Sequence, residues 1–164
     1  MNAVKSCILT INGGSSIIKF ALYQSGEFLA RKQYGNIYRI GLSTTKLTLS
    51  DSAQHQQESL SLTASNHHSA AKFLIDWIEK QVGFAAVTTI GHRVVRGMHH
   101  NESERVTPKL LDELHRISPY DPKHMPFELE LRRVLNATDF RDYTMPFCWK
   151  NFNTLLIPWP RKAV

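Results

Sequence analysis

Two β-prone runs, residues 4–11 (VKSCILTI) and 17–23 (IIKFALY), are separated only by Asn12-Gly13-Gly14-Ser15-Ser16. Small, turn-forming residues between two strand-length apolar runs restrict this part of the chain to a hairpin. Residues 27–34 and 46–50 alternate Leu, Tyr and Thr with polar positions and read as further strands, so the chain begins as an antiparallel meander. The period then changes. Ala70, Phe73, Leu74, Trp77, Ile78 and Val82 recur at helical spacing from Asn66 onward, and Gly83 supplies a stop. Residues 85–90 read as a buried strand, which makes strand, helix and strand succeed one another in the manner of a crossover unit. The expected class is α/β.

Thr107-Pro108 predicts a helix start, with Leu110, Leu111, Leu114 and Ile117 as its apolar stripe and Ser118-Pro119 as its end. A further helix is expected from Pro126 to Leu135, with Phe127, Leu131, Val134 and Leu135 facing inward. Residues 145–164 hold three Pro and two Trp without a sustained period, so they fit no packed element. A chain of 164 residues is long enough for one core. The expected division is a domain over residues 1–135 and a degraded or non-native tail over 136–164.

The formal charge of +6 favours anionic partners. The basic residues are dispersed rather than blocked together with aromatics, which argues against a nucleic-acid face. Cys7 and Cys148 show neither disulfide nor zinc spacing, and a reduced, cytoplasmic setting is the plain reading. No signal core and no apolar run of membrane-spanning length is present. The adjacent pairs His67-His68 and His99-His100 read as exposed loop and helix-cap positions, because sequence neighbours rarely face one ligand together.

Two constellations carry chemistry. In Asn12-Gly13-Gly14-Ser15-Ser16-Ile17-Ile18-Lys19, glycines would let backbone amides approach a phosphate, hydroxyls would add donors and Lys19 would add charge. A plain tight hairpin explains the same residues equally well, and the pattern is no Walker A loop. In Gly91-His92-Arg93-Val94-Val95-Arg96-Gly97, an arginine at a strand end can hold a carboxylate or phosphate in a bidentate fork, beside valines that could wall a small pocket. A basic strand-edge loop is the competing explanation.

Together the two constellations resemble the hallmarks of the acetate and propionate kinase family, NxGSSSxK near the N-terminus and GHRVVHGG some eighty residues later. The resemblance covers residues 4 to about 135. It implies the actin-like ATPase fold shared with sugar kinases, of which this chain would form the first domain only, a mixed sheet with flanking helices. It implies ATP and Mg2+ as cofactors and a short carboxylate such as acetate as acceptor, giving acetyl phosphate and ADP. It also implies roles residue by residue. Asn12 would help place magnesium, Ser15 and Ser16 would belong to the phosphate-binding turn, and Lys19 would be the lysine associated with ATP. Arg93 would bind the substrate carboxylate or the transferring phosphoryl, and Val95 would line the acetate methyl pocket.

The chain also departs from the family pattern. Ile17 stands where a third serine is usual, and Arg96 and Met98 replace the second His and final Gly of GHRVVHGG. Where the family reads APLHNP this chain reads Ser118-Pro119-Tyr120-Asp121-Pro122, placing Asp121 at an active-site histidine; His124 could take over that role, but a solvated helix-start residue is the preferred reading. Around the later motif FDTxFHxTMP, Ala137 falls at the catalytic aspartate, and Asp139 is the nearby carboxylate that could substitute after a backbone shift. A frameshifted or truncated gene would explain the final residues. Three functions therefore stand as expectations: a carboxylate kinase, an inactive remnant of one, and a small basic anion-binding module. A family-type homodimer is possible, though most of its contacts would lie outside this chain.

Overall fold

Strand β1 (Cys7–Gly13) alternates buried and half-buried residues along its length, as a strand with one face in a core must. It opens an antiparallel meander continued by β2 (Ile17–Gln24), β3 (Ala30–Tyr38), β4 (Thr45–Asp51) and β5 (Gln57–Leu62). Helix α1 (His67–Val82) then carries the chain back across the sheet to β6 (Val87–Arg93), which pairs parallel with β1. The short β7 (Glu104–Arg105), helices α2 (Pro108–Ile117) and α3 (Met125–Asn136) and the short β8 (Pro146–Cys148) follow among the described residues. The computed structural model describes residues 6–53, 57–82, 86–94, 104–136 and 146–148. The eight strands form one mixed sheet in the order β5-β4-β3-β2-β1-β6-β8-β7.

The expected elements are therefore present, with two extensions that bear on the site. The hairpin turn is shorter than the five small residues suggested, because Asn12 and Gly13 stay in β1 and the chain reverses over Gly14–Ile17. Strand β6 likewise runs on through Gly91, His92 and Arg93. Of the segment expected to fit no packed element, Pro146–Cys148 lies between β6 and β7 in the sheet.

One face of the sheet is covered by α1 and α3. Ala70, Ala71, Leu74, Ile75 and Ile78 of α1, and Leu131, Val134 and Leu135 of α3, join Leu9, Ile11, Phe20 and Ile90 in one core. A smaller cluster of Val94, Leu110, Leu114, Met125 and Leu129 seats α2 beside α3, directly after Arg93. Helix α2 begins as the Thr-Pro pair predicted, with the Thr107 hydroxyl accepting from the Leu110 N–H at 3.2 Å. Among the described residues no helix is long and apolar enough to cross a membrane.

The β3–β4 connection contains the two positive-φ residues Arg39 (61°) and Gly41 (83°). It is fastened by Thr45, whose buried Oγ1 lies 3.1 Å from the Arg39 carbonyl and 3.2 Å from that of Ala64, just before α1. A hydroxyl has one proton, so it donates to one of these carbonyls at a time. Thr45→Val keeps the shape and removes this donor, while the Arg39 and Ala64 carbonyls keep the backbone N–H groups of Leu42 and Gly41. The expected cost is about 0.5–1.5 kcal/mol, that of one net hydrogen bond, read from the urea midpoint at unchanged slope. A midpoint equal to the parent's would show that the loop is held without this hydroxyl.

Candidate functional site

Register brings three of the sequence-derived residues into one row. Asn12 of β1 pairs with Lys19 of β2 on one side and with Arg93 of β6 on the other. Residues paired directly across a ladder project from the same face. The flanking pairs Ile11–Phe20 and Ile11–His92 point into the core, so Lys19, Asn12 and Arg93 project from the opposite face, away from α1 and α3. Adjacent strands lie about 4.8 Å apart, which places the two cationic side chains roughly 10 Å apart at their roots, with the Asn12 amide between them. Lys19 is exposed, and Asn12 and Arg93 are half-buried.

The turn that follows Asn12 is closed by a hydrogen bond from the Gly14 N–H to the Ile17 carbonyl at 2.7 Å. Ser15 and Ser16 are exposed at its tip, and the Ser16 carbonyl accepts from the Ile40 N–H at 3.2 Å. Gly13 is buried under α3. A β-carbon there would stand 3.4 Å from Leu131 Cδ2 and 3.6 Å from the Phe127 carbonyl, so the end of β1 and the start of α3 approach closely. The serine turn and the three-residue row thus lie at the carboxyl end of the parallel pair β1 and β6, where open α/β sheets hold their ligands, with the start of α3 packed behind them on the opposite face.

Asp121 and His124 form a pair just before α3. His124 Nδ1 lies 2.9 Å from Asp121 Oδ1; the carboxylate is largely buried while the imidazole is partly exposed. The carboxylate accepts, so it fixes the proton on Nδ1 and leaves Nε2 as the outward atom. His124 follows Pro122 as expected for a helix-start residue but is oriented by Asp121 rather than simply solvated. Val95 and Asp139 lie outside the described residues.

His67 departs from the exposed position expected of it. It is 8% exposed, and its Nε2 lies 2.6 Å from the Gly14 carbonyl in the serine turn. The ring packs against Phe127 of α3, with centroids 4.3 Å apart. Burial pushes its pKa down, partly offset by the Gly14 carbonyl. His68, next in sequence, stays exposed and pairs with Glu130 of the same helix α3 at 2.7 Å. Nothing local in the sequence distinguishes the two, because the difference lies in what α1 is docked against. His92 was read only as part of a motif, yet it is wholly within the core. Burial and then the neighbouring Arg132 charge push its pKa down to about 3.

Among the described residues no group of three or more His, Cys, Asp or Glu could hold a metal ion. The Asn12 side chain offers a single oxygen ligand, which suits Mg2+ only when the ion brings its own phosphates and waters.

The family model described as the acetokinase family matches residues 7–138. The chain is 30% identical over 135 residues to an acetate kinase of Methylocella silvestris, covering 75% of this chain and 33% of that protein. It is 34% identical over 125 residues to a propionate kinase of Citrobacter freundii, covering 73% of this chain and 30% of the relative. The chain thus spans about a third of the length of these curated relatives. Among solved structures, the acetate kinase of Porphyromonas gingivalis superposes with a TM-score of 0.77 at 21% identity, over 88% of this chain and 37% of the other. A propionate kinase of Francisella tularensis gives 0.76 at 22% identity, over 88% and 36%. These likenesses establish the mixed sheet with flanking helices as the fold of acetate and propionate kinases.

Proposed function

This chain belongs to the acetokinase family, and on that premise we propose that its strand row and serine turn bind the phosphates of Mg·ATP and the acceptor of a phosphoryl transfer to a short carboxylate. The observation that carries the proposal is the in-register row Lys19–Asn12–Arg93 beside the Gly14–Ile17 turn. In such a transfer two anions must meet, and catalysis consists of positioning them and offsetting their repulsion. Arg93 can fork onto a carboxylate or onto the oxygens in transfer, and Lys19 can neutralise the phosphate chain as a point charge. Ser15 and Ser16 donate hydroxyls from the turn. Mg2+ arriving with ATP would be held through Asn12 and would neutralise the β- and γ-phosphate oxygens.

Acetate is the proposed acceptor and propionate the neighbouring alternative, with Val95 the proposed wall of the acyl pocket. Asp121 acts in this reading through His124. A carboxylate would repel an anionic substrate, whereas the imidazolium form of a ring held through Nδ1 by that carboxylate can donate from Nε2 toward it. Asp139 remains proposed as the substitute carboxylate beyond α3.

The described residues form one wall of a site, and a wall alone neither excludes water nor surrounds the oxygens in transfer. We therefore expect the 164-residue chain to bind Mg·ATP without forming acetyl hydroxamate above background from ATP, Mg2+, acetate and hydroxylamine. Calorimetric titration with Mg·ATP tests the binding. Arg93→Ala and Lys19→Ala are each expected to weaken it by about ten- to a hundredfold, the effect of losing a charge-assisted contact. If the unsubstituted chain binds no nucleotide, or if neither substitution changes its affinity, the reading fails. Binding to random duplex DNA that weakens steeply with salt would instead favour a basic anion-binding module.

A further inference from the structure

Among the described residues His67 is the one buried imidazole that touches the serine turn, and neither the row of cations nor the phosphoryl-transfer reading uses it. A backbone carbonyl can only accept, so the 2.6 Å contact with Gly14 requires a proton on His67 Nε2. That requirement holds for the neutral Nε2–H tautomer and for the charged ring alike. The ring is enclosed and stacked on Phe127, so both α1 and α3 fix its direction.

The Gly14 carbonyl belongs to the same planar unit as the Ser15 N–H. In a trans peptide the two bonds point in opposite directions, and the described residues contain no cis peptide. Drawing the carbonyl inward toward α1 therefore turns the Ser15 N–H outward. Ser15 is exposed, and its N–H makes no hydrogen bond to another described residue. The Gly14 N–H, by contrast, is occupied by the Ile17 carbonyl. The turn consequently presents one oriented amide at its tip, next to two serine hydroxyls, an arrangement suited to an oxyanion.

We propose that His67 is a positioning residue of the anion-binding turn, holding the Gly14–Ser15 peptide so that the Ser15 N–H donates to a phosphate oxygen of the bound nucleotide. The inference rests on the phosphate-binding reading of the turn and adds to it the group that orients the turn from behind. Glycine at position 14 leaves that peptide plane free to rotate, and His67 removes the freedom. An amide oriented in advance loses less entropy on meeting its ligand, which is how a residue without ligand contact can raise affinity.

Amide-resolved NMR titration with Mg·ATP of the unsubstituted chain, His67→Phe and His67→Gln tests this. The Ser15 amide of the unsubstituted chain is expected to move downfield on binding. His67→Phe retains a ring against Phe127 but lacks a donor. It is expected to bind about tenfold more weakly and to lose the Ser15 shift. His67→Gln, whose amide can still donate to the carbonyl, is expected to recover most of both. Binding with an unmoved Ser15 amide, or a glutamine variant no better than phenylalanine, overturns the inference while leaving the phosphate reading intact. Should the phenylalanine variant not fold, the Ser15 shift in the unsubstituted chain and its retention with glutamine decide the matter. Absence of any nucleotide binding by the unsubstituted chain overturns the phosphate reading and this inference together.

Discussion

Substituting alanine for Gly35 is expected to lower folding stability by about 3 kcal/mol, the upper end of what overpacking a core position costs. Gly35 sits in β3 opposite Phe20 of β2 and Leu49 of β4, on the face that enters the core. A β-carbon there would collide with the Thr48 carbonyl oxygen and stand 3.1 Å from two carbons of the Phe20 ring. The ring can move aside only at the expense of its own contact with Trp77, whose centroid is 5.9 Å away. The carbonyl belongs to the backbone of the β3–β4 ladder and cannot swing aside. The missing side chain at Gly35 is thus filled by the Phe20 ring, an aromatic covering a strand glycine. Since a domain of this size is stable by only about 5–15 kcal/mol, such a loss should be plain in the urea midpoint. A change below about 1 kcal/mol would mean that the two strands can separate locally without penalty.

The second large effect concerns pH. His92 is buried in the core beside the Arg132 charge, its Nε2 has no hydrogen-bond partner, and its pKa in the folded chain is about 3 against an ordinary 6.5. The unfolded chain therefore binds a proton on this ring at pH values where the folded chain does not. Stability is complete above the ordinary histidine value and is lost as the pH falls from there toward 3. The slope approaches about 1.4 kcal/mol per pH unit, so the domain should be roughly 2 kcal/mol weaker at pH 5 than at pH 7 from this group alone. His67, whose pKa is also lowered by burial, adds a slope of the same sign. Comparing the parent with His92→Gln at both pH values isolates the His92 contribution, because His67 is common to both proteins. Equal pH dependence in the two would show that His92 is hydrated or partnered in solution.

Much of this fold was legible because its elements carry local signals. The helical period of α1, the Thr-Pro start of α2 and the small residues of the first turn each act within a few positions. Strand β5 went unread for a physical reason. Its sequence Gln57–Leu62 is exposed nearly throughout, and only its pairing with β4 makes it a strand. An edge strand with little buried on either face leaves no alternation to detect.

The candidate site was legible in composition but not in geometry. The sequence placed Asn12 in a turn and Arg93 after a strand, whereas both lie within strands and meet through register. Register between β1 and β6 joins residues some eighty positions apart, and no local pattern encodes it. His67 was invisible for the same reason, since its burial depends on α3 arriving beside the first turn. The Asp121–His124 pair lay within one helical turn, and its three-residue spacing was the available sign.

The row across β2, β1 and β6 has a bearing on how such a site can change over evolutionary time. Charges mounted on neighbouring strands are separated by the interstrand spacing, a length dictated by main-chain geometry and shared by every sheet. Point substitution can shorten, lengthen or neutralise either arm, but it cannot alter the gauge between them. A slip of one residue in either strand would turn its cation inward and bring an aliphatic or aromatic neighbour to the surface. In the proposed reading, the acceptor pocket can therefore drift among acids of different size while the distance between the Lys19 and Arg93 arms stays constant.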